Sequence, residues 1–250
     1  MRQAEGRSAV FGLWADPVLV LGLVALWTTL AIVFNGEPEF DKAVSAFFFA
    51  ALPCPEGSAK TVCGFFPASG IAFWASLRGI FHYAPVVIAA IAAAALARDL
   101  NAGHRIAEPR PLYSATALAA FLLGPGLLVN GFLKDYWGRP RPGSTDIFGG
   151  DLPFVPAGQW SDACASNCSF VSGEASSIVW LVLLIPLLPA RWRLGGGLAI
   201  VAAAIFTSGL RVAFGGHYLS DVVLGGLSTF VVFAVLAFIA ETFVRSPARA

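Results

Sequence analysis

Six stretches of this chain are apolar enough to lie inside a lipid bilayer, and few arrangements other than a membrane bundle could hide them. They run over 17–34, 79–97, 112–133, 175–189, 194–210 and 218–243. The first reaches about 27 Å as a helix, just enough to cross the hydrocarbon with help from its flanks. It is longer than a signal-peptide core, and no small-x-small cleavage pattern follows it, so a retained helix is expected. With 57% hydrophobic and 12% charged residues, the chain carries more apolar surface than a soluble domain of this length needs. The expected fold is an all-α membrane protein, a six-transmembrane helical bundle formed as one domain over 1–250. The aromatic segment 40–52 is too short to span and reads as an interfacial helix after the first span.

The formal net charge of +1 gives no basis for nucleic-acid binding. The arginines sort by side. Arg2, Arg7, Arg98, Arg105, Arg110, Arg191, Arg193, Arg245 and Arg249 share one side of a six-span bundle, which the positive-inside rule makes the cytoplasm. Loops 35–78, 134–174 and 211–217 then share the opposite face. Lys134, Arg139, Arg141 and Arg211 stand on that face against the rule, and anion binding is the obvious reason for them. Cys54, Cys63, Cys164 and Cys168 lie in the same loops. The pairs 54–63 and 164–168 can close local disulfides in an oxidising compartment, with free thiols as the alternative. Neither spacing resembles a zinc site, and His82, His104 and His217 are all remote from the cysteine pairs.

Three polar segments interrupt the ends of the apolar runs. In Ser208–Asp221, Gly215-Gly216 permits a tight turn, so His217 opens the following helix with Asp221 one turn along on the same face. A carboxylate there can hold one ring nitrogen as N–H and leave the other as nucleophile or base. Arg211 adds a fixed charge suited to phosphate or carboxylate, although an interfacial arginine and a turn-stabilising His–Asp pair would look the same. The second segment, Lys134 to Pro142, sets cations on a stiff Arg-Pro-Arg-Pro turn. Its plain reading is a snorkelling lysine with interface arginines. The third, Cys168 to Ser177, puts Ser172 and Gly173 at a helix start, where free N–H groups attract anions. Plain N-capping by Ser172, with Glu174 in the first turn, is compatible with that. His82, near the start of the second run, reads as an interfacial histidine rather than a catalytic one.

Together the three segments resemble the type 2 phosphatidic acid phosphatase superfamily, whose signature is Lys-x6-Arg-Pro, then Pro-Ser-Gly-His, then Ser-Arg-x5-His-x3-Asp. Lys134 with Arg141-Pro142, Ser172-Gly173, and Arg211, His217 and Asp221 match in order and spacing over roughly 112–243. Val171 replaces the signature proline, Gly209-Leu210 separate Ser208 from Arg211, and Glu174 stands where the family has histidine. The resemblance implies an integral-membrane lipid phosphatase that works through a phosphohistidine. His217 would be the nucleophile and Asp221 would orient its ring. Lys134, Arg141, Arg211, Ser172 and Gly173 would bind the phosphoryl oxygens. Glu174 would act as acid for the leaving group, as base for the hydrolytic water, or as partner of an arginine. Arg139 is either a phosphate ligand or a partner of Asp135. No carboxylate cluster suits magnesium, so a metal- and cofactor-independent reaction is expected. The implied partner is a phosphorylated lipid of the bilayer (phosphatidate, phosphatidylglycerophosphate, undecaprenyl phosphate or pyrophosphate, or a lipid A phosphate). The implied location is a bacterial inner membrane with the site facing the periplasm. A lipid phosphotransferase and a non-catalytic lipid-phosphate binder or transporter are the alternatives, and the sequence is silent on oligomeric state.

Overall fold

The computed structural model describes residues 10–245, with side chains to Phe243. Arg2, Arg7 and Arg249, part of the arginine excess, lie outside the described residues, as does the side chain of Arg245. Five helices are long and apolar enough to cross a membrane, and a shorter apolar helix, Gly173–Leu187, fills the place of the expected fourth span.

Helix α1 (Pro17–Gly36) starts at Pro17, whose missing N–H costs nothing in a first turn, and is capped by the Asp16 carboxylate, which accepts from Val18 N at 2.8 Å. It buries no residue in the described bundle, as suits a helix facing lipid. Its anchor is Trp27, whose Nε1 donates to Leu224 O and Ser228 Oγ at 3.1 and 3.0 Å.

The interfacial helix is shorter than expected. As α2 (Glu39–Phe47) it stops before a strand, β1 (Ala50–Leu52), that pairs antiparallel with β2 (Cys63–Phe65). The Cys54–Cys63 disulfide closes that hairpin, and Pro53, which cannot donate to a helix, ends any helical continuation. The second span is longer than its apolar run: α3 covers Ala72–Asn101. Arg78 bounds the apolar run at its N-terminal end, and His82 lies just inside it. Both side chains sit inside the helix and face the Glu174 carboxylate.

The third span, Pro109–Tyr136, is one continuous rod. It begins as α4 (Pro109–Phe121), passes through a π-helical stretch, Leu122–Leu133, and ends as α5 (Lys134–Tyr136). The Gly124-Pro125-Gly126 sequence is the cause. Pro125 has no N–H to give and its ring crowds the preceding turn, so the ladder shifts register. The Asn130 Nδ2 then donates to Pro125 O at 2.7 Å.

The short fourth element starts as α6 (Gly173–Trp180) and continues as a 3₁₀ helix, Leu181–Leu187, around Pro186. Because a 3₁₀ helix rises ~2.0 Å per residue, these two pieces together reach about 26 Å. Helices α7 (Ala190–Ala213) and α8 (Leu219–Arg245) complete the bundle. Helix α8 packs closely on α6 because glycines face it: a Cβ on Gly225 would lie 2.6 Å from Ser172 O. Away from the motif-bearing loops, Phe11, Tyr113, Trp180 and Phe233 form an aromatic core. The opposite end is covered by Phe49, Phe66, Phe148 and Tyr218.

Candidate active site

The three signature segments converge at that covered end. Helix α7 closes with a turn in which Gly215, at φ +62°, donates to Val212 O while Gly216 and His217 both donate to Arg211 O. A left-handed φ favours glycine, and here space demands it as well, since a Cβ on Gly215 would lie 2.4 Å from the Phe66 ring. Gly216 is just as constrained: its Cβ would come within 2.5 Å of an Arg211 guanidinium nitrogen. The pair of glycines therefore seats Arg211 against the backbone that delivers His217.

His217 is buried and its Nδ1 lies 2.8 Å from the Ser169 carbonyl oxygen. A carbonyl can only accept, so Nδ1 carries the proton and Nε2 keeps a free lone pair. Asp221 is expected to orient this ring, but its Oδ2 is 3.9 Å from Nδ1. Its oxygens accept instead from the Ser169 hydroxyl, from Tyr218 N at 2.9 Å and from Arg139 Nη1 at 2.7 Å. The carboxylate thus holds the Ser169 segment and the start of α8, and the Ser169 carbonyl holds the imidazole. Burial first, then the charges of Arg211, Arg141 and Lys134, push the His217 pKa well below the usual histidine value.

Arg139 takes neither role expected of it. Its Nε donates to Val155 O at 2.8 Å, Nη1 to Ser220 Oγ as well as Asp221, and Nη2 to Asp41 at 2.8 Å. Asp41, from α2, also accepts from Ser220 N and Oγ. Burial alone would lower the pKa of this guanidinium, but Asp221 and Asp41 reverse the effect and hold it above the ordinary arginine value.

The remaining cations stay open. Arg211 is 4% exposed, and its Nε finds no hydrogen-bond partner among the described residues. It lies 3.4 Å from Glu174 Oε1, in ion-pair range only. Arg141 donates to the Asn167 backbone and side-chain oxygens at 3.0 and 2.6 Å, inside the loop that the Cys164–Cys168 disulfide closes. Lys134 donates to Asn130 Oδ1 at 3.3 Å. A Cβ on Gly173 would come within 2.2 Å of that same oxygen, so glycine is required for the third and fourth spans to meet here. Ser172 caps α6 by accepting from Ala175 N at 3.3 Å, which leaves its hydroxyl proton for an anion. Glu174 accepts from Arg78 Nε at 3.0 Å and from Arg78 Nη2, with His82 Nδ1 3.8 Å from Oε1.

Asp41, Arg78, Ser169 and Asn130 were not found by sequence reading. Arg78 carried a signal, being one more arginine opposite the cytoplasmic arginine excess. Asp41 pairs with residues 98 and 179 positions away, which no local pattern announces. Among the described residues no group of three or more His, Cys, Asp or Glu is placed to hold a metal ion.

A cluster of cations around a buried imidazole, at one end of a membrane bundle, suits a phosphoryl group. A profile of the PAP2 superfamily matches residues 111–245, and the chain belongs to that superfamily. It is 42% identical over 219 residues to a lipid A 4'-phosphatase of Rhizobium leguminosarum, spanning 87% of this chain and 94% of that one. A lipid A 4'-phosphatase of Rhizobium etli is 43% identical over 240 residues, at 92% and 93% coverage. A third, from Francisella tularensis subsp. novicida, is 45% identical over 121 residues, 46% of this chain and 54% of that one. No solved structure matches. The protein is a membrane lipid phosphatase, a phosphoric monoester hydrolase, of bacterial type.

Proposed function

We propose that this chain, acting as one membrane-embedded domain, removes the 4'-phosphate of lipid A at the periplasmic face of a bacterial inner membrane. The observation that carries the substrate is the near full-length similarity to two proteins named for that reaction. An apolar groove of about 640 Å³ fits a lipid. Leu26, Leu30, Val212, Leu219, Val222 and Phe230 line it, and Val212 and Val222 adjoin Arg211 and Asp221 in the chain. The outer location rests on the placement of Arg98, Arg105, Arg110, Arg191 and Arg193 at the opposite helix ends, and on both disulfides lying on the side of the site.

In this reading Nε2 of His217 attacks phosphorus while the Ser169 carbonyl holds the Nδ1 proton. Lys134, Arg141 and Arg211 meet the charge on the phosphoryl oxygens, aided by the Ser172 hydroxyl and the Gly173 N–H. Water then cleaves the phosphohistidine. Arg139 and Asp221 are scaffold in this scheme, and the chain's own cations supply the charge a metal would otherwise provide. The test is phosphate release by purified protein, with EDTA present, from lipid A carrying a phosphate at the 1 position only, the 4' position only, or both. Release confined to the 4' position is the expected result. Release from the 1 position alone, from other phospholipids in preference, or only without EDTA would overturn the corresponding part.

A further inference from the structure

Phosphoryl transfer to His217 breaks the bond to a lipid oxygen whose electron pair needs a proton, and the groups that bind phosphate are poor sources. The arginines hold their protons throughout the working pH range. Glu174 takes two N–H donors from Arg78 and faces Arg211 Nε, the environment of an ionised, acceptor-only carboxylate. His82 is left. Arg78 and His82 are four residues apart on α3, so they share a helix face, and both reach Glu174. The Glu174 Oε1 that lies 3.8 Å from His82 Nδ1 also lies 3.4 Å from Arg211 Nε. One carboxylate oxygen thus sits between the half-exposed imidazole and the phosphate-binding arginine. A histidine merely resting at an interface needs no such neighbour.

We propose that His82 is the proton donor to the departing lipid oxygen, and that Glu174, clamped by Arg78, positions its ring. The assignment rests on the hydrolytic reading of the site. In the first step Nε2 of His217 bonds to phosphorus as the phosphorus–oxygen bond to the lipid breaks. The electron pair of that bond goes to the lipid oxygen, which takes a proton from the His82 ring nitrogen turned away from Glu174. In the second step that nitrogen accepts a proton from the attacking water, the phosphorus–nitrogen bond breaks, and inorganic phosphate leaves with both histidines restored.

The test compares two lipid phosphomonoesters in the same mixed micelles, one with an alkyl and one with a nitrophenyl leaving oxygen, using the full-length wild type and His82→Gln. The alkyl ester needs a proton to depart and the nitrophenyl ester does not. His82→Gln is expected to lose about 10²- to 10³-fold in kcat on the alkyl ester and little on the nitrophenyl ester. Glu174→Gln should show the same selective loss at smaller size. Equal losses on both esters in a protein with wild-type melting temperature, or no loss on either, would overturn the assignment. If His82→Gln fails to fold, His82→Asn carries the same comparison. Wild type that releases no phosphate from either ester would instead overturn the hydrolytic reading itself.

Discussion

Arg139 and Arg211 are both buried at the end of the bundle that holds His217, yet they are wired in opposite ways. Arg139 spends its donors on Val155 O, Ser220, Asp221 and Asp41, and its guanidinium stacks 4.2 Å from the Tyr218 ring centroid. Among the described residues Arg211 has one ion-pair partner, Glu174, at 3.4 Å without a hydrogen bond, and an unmet Nε donor. A buried cation with every donor used is a brace, since anything that approached it would have to displace a partner. A buried cation with a donor unused bears a cost that a ligand or a bound water can offset. Two arginines of similar burial thus divide into scaffold and site by their hydrogen bonds alone.

The division is tested first at the group it serves. His217→Ala should reduce phosphate release by about 10⁴-fold or more, the scale seen when a nucleophile is deleted. The melting temperature should stay near wild type. A variant with wild-type turnover would remove His217 from the chemistry and leave the two arginines without a common purpose. On the scaffold side, Arg139→Met should destabilise the fold by about 3–5 kcal/mol by leaving Asp41 and Asp221 buried without their cation. Adding Asp41→Asn should recover part of that loss, since one of the stranded charges is gone. On the site side, Arg211→Gln should lower kcat/KM by about 10²- to 10³-fold while leaving thermal unfolding unchanged. If Arg211→Gln unfolds the protein and Arg139→Met leaves it intact but inactive, the assignment of roles is inverted.

The same contrast explains what the sequence could reveal. Lys134, Arg141, Ser172, Arg211 and His217 were legible because their spacing is local and their positions, at ends of apolar runs, are costly without a reason. The partners of Asp221 were not. One helical turn from His217 it looked like the ring's support, but Arg139 and the Ser169 hydroxyl compete for its oxygens, and these arrive from 82 and 52 residues away. The all-α membrane fold was legible from hydropathy, with five long spans and a shorter apolar helix in the structure, whereas α3 extends past its apolar run through Arg78, which meets Glu174. The 3₁₀ winding at Pro186 was visible only as a proline, and Gly124-Pro125-Gly126 reads in the sequence as a kink where the structure has a π stretch.

Arg141 offers a smaller test, because it belongs to the site while its support comes from a loop. It is aimed by Asn167 within the ring closed by Cys164 and Cys168. Replacing both cysteines by serine frees that loop without touching a cation. The expected result is a rise in KM of about fivefold, the value of one hydrogen bond near 1 kcal/mol, with kcat nearly kept. A fall in kcat with KM unchanged would place the loop in the chemistry instead.

The finest distinction between brace and site is electrostatic, and His217 reports it. Burial and the charges of Arg211, Arg141 and Lys134 lower its pKa well below the ordinary histidine value, so the native ring stays neutral where the unfolded chain begins to protonate, near pH ~6.5. Below that pH the unfolded state binds the extra proton. Stability therefore falls as pH drops through this window, by at most ~1.4 kcal/mol per pH unit for this group. With three histidines in the chain, ¹⁵N-histidine spectra can isolate the His217 signal by its absence in His217→Ala. The ring should remain neutral at pH 5.5 in the wild type, with Nδ1 as the protonated nitrogen. Arg211→Gln should shift its titration upward, because a nearby unneutralised charge is removed. Arg139→Lys, which keeps a charge in the brace, should leave it nearly in place. A ring that titrates at the ordinary value in the wild type would mean that the pocket is wetter than this packing allows. The open donor on Arg211 would then be met by water, and it would no longer mark a place kept for phosphate.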